Sequence, residues 1–569
     1  MKKQKNQVSE KTVNIKFNIM AVIGICIFSL GLVYKSLQND TYYTITLGKY
    51  VLNHGIDMME HFAWHEGLIY TYPHWLYDVF IYLIYNSFGF MGVYVSSIVL
   101  GAILGLSIYF VTSKLSKNNL ISFFITILIM FLGRGYITAR AQLVTFILFV
   151  WTIFFIEKFL ENKKIIYAIP LILIPIAIAN IHAAVFPFYF ILYLPYIGEY
   201  IIALMIEHAD FIGKIYLKSD KREINKLLKK KELTEKEKKK IELYTKRVEK
   251  NEIKFKERDE RRKAKKGNEY KIIIEKNKNV KWLILVMIIC AFTGLVTPIG
   301  DTPYTYLLHT MKGNTTGNIA EHLPLTLYNN KEALITFSVV IIMLAFTKTK
   351  IRLKDLFLTS GLMLLTFMSR RQLSMFLFIG GISLNNVICN VLVAYSNKED
   401  VEQAKKYITT ILGQIITYAL VIAVTLCLYM KIKDTEIVDE KSYPVKACDY
   451  IIENLDYKNI KIFNDYNYGS YLMFRGIPVF IDSRADVYDP QFNGFEDDIF
   501  QDFIHIYTMK DYYEDKFEHY GITHVITYKK SSLALYIEKT SNYKELYSDD
   551  NFVIYERIKE TKNEKVQNK

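Results

Sequence analysis

Cysteine is scarce in this chain: five occur in 569 residues, at Cys26, Cys290, Cys389, Cys427 and Cys448. Four lie in apolar segments and none forms a CxxC pair. That pattern excludes a disulfide framework or a thiolate metal centre and leaves small buried hydrophobes. Glycine-rich phosphate cradles are also missing, with no GxGxxG and no P-loop anywhere, so no stretch encodes a nucleotide-binding turn. There is no HExxH. The spacing of His54, His61, His65 and His74 contains one (i, i+4) pair, His61 and His65, which argues against zinc. No small-residue cleavage site precedes Asp40, so the lysine-headed N-terminus reads as a retained first helix and not as a removed signal peptide.

Apolar length is abundant. The chain is 51% hydrophobic with a mean hydropathy of +0.14, and segments long enough to cross a bilayer recur through most of it. The expected fold class is an α-helical polytopic membrane protein of about eleven transmembrane helices, at 17–37, 90–112, 120–132, 143–159, 165–180, 185–206, 282–296, 334–346, 356–367, 373–393 and 408–429. The net charge of +14 raises nucleic acid as a partner, but the lysines sit in segments flanking apolar runs and no recognition motif accompanies them. They read as topology determinants that keep their loops in the cytoplasm.

That topology divides the chain. Residues 1–16 are cytoplasmic, and 17–213 form the first half of the membrane domain with an external loop at 38–88. Residues 214–281 are a Lys/Glu-rich cytoplasmic helical insertion, a solvated spacer or a docking arm. Residues 282–431 complete the membrane domain. Residues 432–560 change character to a small extracytoplasmic α/β domain, with a helix at 445–455 and short strands in IKIFND, VFIDSR, HVITY and NFVIYER. Residues 561–569 are a polar, disordered tail.

The first external loop, from Asp40 to Asp78, concentrates the chemistry. It carries Asp57, Glu60, four histidines, Trp64, Trp75 and several tyrosines, and a short aromatic segment at 75–86 that suits the membrane interface. The same face collects Arg134, Arg140, Gln142, Asn180, His182, Asp301, Glu321, His322, Arg370, Arg371 and Gln372. Arginines at outer helix ends run against the topology rule and suit a phosphate, which a guanidinium binds through paired hydrogen bonds. Trp75 and the tyrosines suit a sugar face or a lipid headgroup.

This layout resembles the GT-C superfamily of integral-membrane glycosyltransferases. More closely it resembles a group of bacterial GT-C-like membrane proteins whose first loop runs as Asp, a G-(K/R)-x-(I/V)-L-x-x-G segment, an acidic-x-F-(S/A) turn and a His-x-W-L helix start. Here these are Asp40, Gly48 to Gly55, Glu60-His61-Phe62-Ala63 and His74-Trp75-Leu76. Arg140-Ala141-Gln142 stands for Arg-Pro-Gln, Asn180-Ile181-His182 for Asn-x-His, and Glu321-His322-Leu323-Pro324 for Glu-Trp-x-Pro. The C-terminal motif matches Asn464 to Leu472 and then Ile481-Asp482-Ser483-Arg484-Ala485-Asp486. Glu60, Ala141 and His322 depart from the pattern.

The resemblance implies transfer of a sugar from a polyprenyl-phosphate-linked donor to a cell-envelope acceptor, at the outer face of the cell membrane. In that reading Asp40 and Glu60 are the catalytic candidates, and Arg140, Gln142, His182, Glu321, Arg371 and Trp75 bind substrate. Asp40 is also a good helix cap, Glu60 a plausible loop charge and the arginines plausible ion-pair partners. Asp482, Arg484 and Asp486 read as a structural strand-end turn. No cofactor is certain, and a divalent cation, Mg or Mn, stays open. The partners implied are the lipid-linked donor, membrane lipids and a glycan, lipid or protein acceptor, with no nucleic acid. The competing class is a non-enzymatic protein that binds or moves a lipid-linked glycan, or a membrane scaffold.

Overall fold

The computed structural model describes residues 2–558, apart from 231, 267–270, 329, 349 and 397; the tail expected at 561–569 lies outside them. Each of the eleven apolar segments contains helix, though 17–37, 185–206 and 408–429 are not helical throughout. Six helices among the described residues are long and apolar enough to cross a membrane: Lys11–Ser29, Trp75–Ser116, Ala141–Asn162, Ala183–Leu228, Arg370–Leu392 and Ile411–Met430. Asn119–Leu132, Ile165–Ile181 and Val280–Leu295 are shorter, and Lys331–Phe346 and Leu353–Met368 have 16 residues each.

Local chemistry sets the ends. Asn118 caps the Asn119–Leu132 helix by accepting from the Ile121 amide, and Lys117 and Lys163 close the helices before them in the left-handed region. The expected interfacial helix and the span after it form one run, broken at Gly89. Its φ of 62° and ψ of −162° belong to a region open in practice only to glycine. The first helix stops at Ser29, eight residues before the expected end. By Leu37 the backbone is already bonded to Ile437 of the C-terminal region, so the intervening residues turn.

The charged insertion is a helical hairpin. Leu194–Leu228 runs without a break out of the bundle for 35 residues, about 52 Å at 1.5 Å per residue and longer than a bilayer core of about 30 Å. Glu235–Lys266 returns beside it, joined through Lys221 to Glu252 and Arg247 to Asp220. Lys271–Ile273 then pairs in parallel with Lys350–Arg352, which anchors the hairpin base to a later loop. The segment 214–281 accounts for the whole of the chain's net charge of +14.

The C-terminal region holds a four-stranded sheet in the order Ile462–Phe463, His524–Tyr528, Phe552–Arg557, Tyr543–Ser548. The first pair is parallel and the others antiparallel. The expected strand in VFIDSR is not one. Asn464 takes its ladder bonds instead, accepting from the Phe480 amide at 2.8 Å and donating to the Ile481 carbonyl at 2.7 Å. Val479 pairs with Ala63 of the first loop. The fourth strand is Tyr543–Ser548.

Two large hydrophobic cores and a small one around Ile351, Val387 and Val391 result among the described residues. One of the large cores fills the helical bundle. The other is shared between the first loop and the C-terminal region, so those two parts of the sequence, some 400 residues apart, pack as one layer on one end of the bundle. Tyr42 sits at its centre, fully buried, with the Tyr443 and Tyr471 rings at 4.9 and 5.0 Å. Polar bonds close the seam: Trp64 Nε1 donates to the Ile462 carbonyl at 2.9 Å, and Tyr443 Oη to the Leu37 carbonyl at 2.9 Å.

Arg484 is the ionic part of that seam. Its side chain is 3% exposed and its guanidinium donates to Glu60, 1% exposed, and to Asp482, 0% exposed. Tyr488 donates to the same Asp482 at 2.7 Å. Removing one member of a buried ion network strands the others and costs about 3–5 kcal/mol. Arg484→Met is therefore expected to lower the thermal midpoint of the detergent-solubilised protein sharply and to reduce its level in membranes, whereas the exposed-pair variant Lys246→Met leaves both unchanged.

Candidate functional site

Asp40 lies in the first turn of the helix Asn39–His54. It does not cap that helix: Gln38 is the N-cap residue and no side chain caps the turn. Its carboxylate turns instead to Arg140, at 2.7 Å. Arg140 is the residue just before the helix Ala141–Asn162, and its other terminal nitrogen donates to both Glu321 oxygens at 3.2 Å. One guanidinium thus bridges two carboxylates from distant parts of the chain. Burial disfavours the cation, but Asp40 and Glu321 outweigh it and hold Arg140 above its ordinary range. Burial likewise opposes ionisation of Glu321, and Arg140 and Arg371 overcome it, keeping the carboxyl below its usual range.

Beside this bridge opens a recess of about 90 Å³, lined by Gln38, Gly135, Tyr136, Thr138, Arg140, Gln142, Glu321, Arg370 and Arg371. Backbone bonds set its wall. The Arg370 and Arg371 amides donate to the Leu323 and Glu321 carbonyls at 2.9 and 3.0 Å, which lays the 315–330 loop across the turn Arg370–Gln372. Neither Arg370 nor Arg371 makes an ion pair among the described residues, and the Nε atoms of Arg370 and Arg140 are buried without a partner. Two guanidiniums without an ion pair among the described residues therefore line a small polar recess, a setting whose chemistry suits an anion.

The structure brings together Asp40, Arg140, Gln142, Glu321 and Arg371 from the expected set. It does not bring Glu60, which is locked into the Arg484 network and also accepts from the Phe62 and Ala63 amides. That makes Glu60 a staple of the loop turn, with its side chain 1% exposed. Asp482 and Arg484 are the structural pair that the sequence led one to expect. His182 is buried behind the recess, with Nδ1 3.0 Å from Thr145 Oγ1. Trp75 donates from Nε1 to Asn180 Oδ1 at 3.3 Å. Neither His182 nor Trp75 lines the recess.

Among the described residues no three His, Cys, Asp or Glu side chains group as ligands. The two carboxylates that do converge, Asp40 and Glu321, are already bridged by Arg140.

Sequence reasoning passed over Gln38, Tyr136 and Thr138, whose side chains carry no charge to mark them. Asp486, read from the sequence as part of a strand-end turn, accepts from Tyr306 and is pushed up to about 6 by burial. His74 and Asp78, four residues apart, bond at 2.8 Å. The (i, i+4) spacing after Pro73, at a helix start, was the available signal.

No family model matches the chain, and no curated protein matches it either. Among solved structures it is similar to the apo crystal structure of the oligosaccharyltransferase of Archaeoglobus fulgidus, at 12% identity and a TM-score of 0.52, covering 96% of this chain and 75% of that one. The likeness is one of fold: several apolar helices with a small C-terminal sheet region.

An anion site of this kind is open to direct measurement. Dodecyl phosphate is expected to raise the thermal midpoint of the detergent-solubilised protein. Arg371→Ala and Arg370→Ala are each expected to weaken that binding about 10- to 100-fold, the worth of a charge-assisted hydrogen bond of about 1.5–3 kcal/mol.

Proposed function

We propose that the protein is a membrane glycosyltransferase, moving a sugar from a polyprenyl-phosphate-linked donor to a cell-envelope acceptor at the outer face of the membrane. The observation that carries this reading is the recess in which Arg370 and Arg371 stand unpaired beside the Asp40–Arg140–Glu321 bridge. The fold likeness to an oligosaccharyltransferase supports the reaction class. The Lys-rich insertion at the opposite end from this layer supports a cytoplasmic N-terminus and an outer C-terminal layer.

In this mechanism Arg370 and Arg371 hold the donor phosphate and stabilise the charge it gains as the glycosidic bond breaks. Preorganised donors of that kind act most strongly where water is excluded. Asp40, fixed in place by Arg140, positions the acceptor hydroxyl for in-line attack on the anomeric carbon, with inversion. Gln142 supplies a neutral hydrogen-bonding group on the recess wall. The alternative is a protein that binds a lipid-linked glycan without turning it over, which would need the arginines but not Asp40.

A deletion strain complemented with Asp40→Asn or Arg371→Ala separates these readings. The expected outcome is normal membrane abundance with the envelope-glycan profile of the deletion for both variants. If Asp40→Asn restores the wild-type profile while Arg371→Ala does not, the transferase reading falls and binding without turnover replaces it.

A further inference from the structure

Inverting transfer requires the acceptor hydroxyl to lose a proton, and Asp40 is poorly placed to keep it, because its carboxylate is engaged by Arg140 at 2.7 Å. One helical turn further on is Tyr43, on the same face of the helix Asn39–His54 at (i, i+3) spacing. Its ring stacks on His74, with centroids 5.6 Å apart and planes at 29°, and its Oη lies 3.3 Å from His74 Nε2. The other ring nitrogen, Nδ1, lies 2.8 and 2.9 Å from the two oxygens of Asp78.

With Asp78 ionised its oxygens only accept, so His74 Nδ1 carries the proton and donates to Asp78. Nε2 is then the acceptor, and Tyr43 donates to it. Asp78 is 0% exposed and His74 14% exposed. Asp78 has no Lys or Arg ion pair among the described residues, so its buried charge is balanced when His74 becomes a cation. Close packing holds the array: a Cβ on Gly48 would come within 2.1 Å of the Asp78 carbonyl oxygen, and the Ala183 amide donates to the Pro73 carbonyl at 2.7 Å.

Tyr43 is partly exposed, and after burial itself Asp40, Asp78 and Arg140 are the neighbours that act most on its phenol, which burial holds well above its ordinary range. It therefore remains protonated and can accept a proton only while giving up its own. Among the neighbouring tyrosines, Tyr306 is committed to Asp486 and Tyr466 to the Ser483 carbonyl, whereas the buried hydroxyls of Tyr70 and Tyr77 have no hydrogen-bond partner among the described residues.

Resting on the transferase reading above, we infer that Tyr43, His74 and Asp78 form the proton relay of the reaction, with Tyr43 the group that touches the acceptor. As the acceptor oxygen bonds to the anomeric carbon, its proton passes to Tyr43 Oη and the Tyr43 proton passes to His74 Nε2. The bond from the anomeric carbon to the phosphate oxygen breaks, and its electron pair leaves with the lipid phosphate. His74 becomes an imidazolium balanced by Asp78 and later returns its proton to water. His74 and Asp78 act through Tyr43 and are positioning residues.

The test uses isolated membranes of the deletion strain, which retain the native donor and acceptor. Purified full-length protein is added, and the rate at which the missing envelope glycan reappears is followed by mass spectrometry. Tyr43→Phe keeps the ring and its stacking, and is expected to lose about 100-fold or more in rate, the usual worth of acid–base help, with an unchanged thermal midpoint. His74→Gln is the decisive variant: its amide can accept from Tyr43 and donate to Asp78, keeping the hydrogen-bond chain, but it cannot take a proton. The relay predicts the same loss for His74→Gln, and the wild-type rate is expected to curve with deuterium fraction because two protons move together. A His74→Gln rate within about threefold of wild type overturns the relay and leaves a structural strut. In that case a continued loss in Asp40→Asn keeps the transferase reading intact. If wild-type protein restores no glycan at all, the transferase reading falls and the relay falls with it.

Discussion

A single buried guanidinium decides how the two ends of this chain meet. Arg484 is removed from water and is tolerable there only because Glu60 and Asp482 both accept from it. Glu60 belongs to the first loop and Asp482 to the C-terminal region, so satisfying the charge requires the two segments to pack. The shared tyrosine-rich core then supplies the apolar burial, and Trp64, His65 and Tyr443 align the seam through hydrogen bonds to backbone. The result is a cap that holds the helix Asn39–His54 against the bundle and thereby fixes where Asp40 and Tyr43 stand.

Beneath that cap the same chemistry is used differently. Arg140 has two carboxylates, as Arg484 does, but its pair is only partly buried, and the adjoining Arg370 and Arg371 have none among the described residues. A fully compensated cation makes a rigid joint; an uncompensated pair makes a site that an anion completes. The contrast separates the structural arginine from the binding ones more clearly than their positions along the chain do.

The distribution of charge follows the same division of labour. The hairpin 214–281 carries the entire net charge of +14, and the rest of the chain is balanced. Its first helix is the continuation of an apolar helix, so the hairpin stands off the bundle on an unbroken rod anchored by the Lys271–Ile273 and Lys350–Arg352 pairing. The site at the other end is therefore built from locally paired charges, and its recess is positive through two side chains and not through a general basic surface.

Hydropathy marks the apolar segments, the charged insertion and the change of character after 431, because each depends on residues close in sequence. Gly89 and Lys117 mark breaks for the same local reason. The motif residues Asp40, Arg140, Gln142, Glu321 and Arg371 were also legible, as polar groups stranded at helix ends. The sequence could not assign Glu60, since a loop carboxylate becomes a staple or a catalyst according to a partner some 420 residues away. Nor could it show that VFIDSR yields its ladder bonds to Asn464, or that Asp78, His74 and Tyr43 line up. Those outcomes are set by which groups lose water together when distant segments pack, and burial of that kind is a property of the tertiary structure alone.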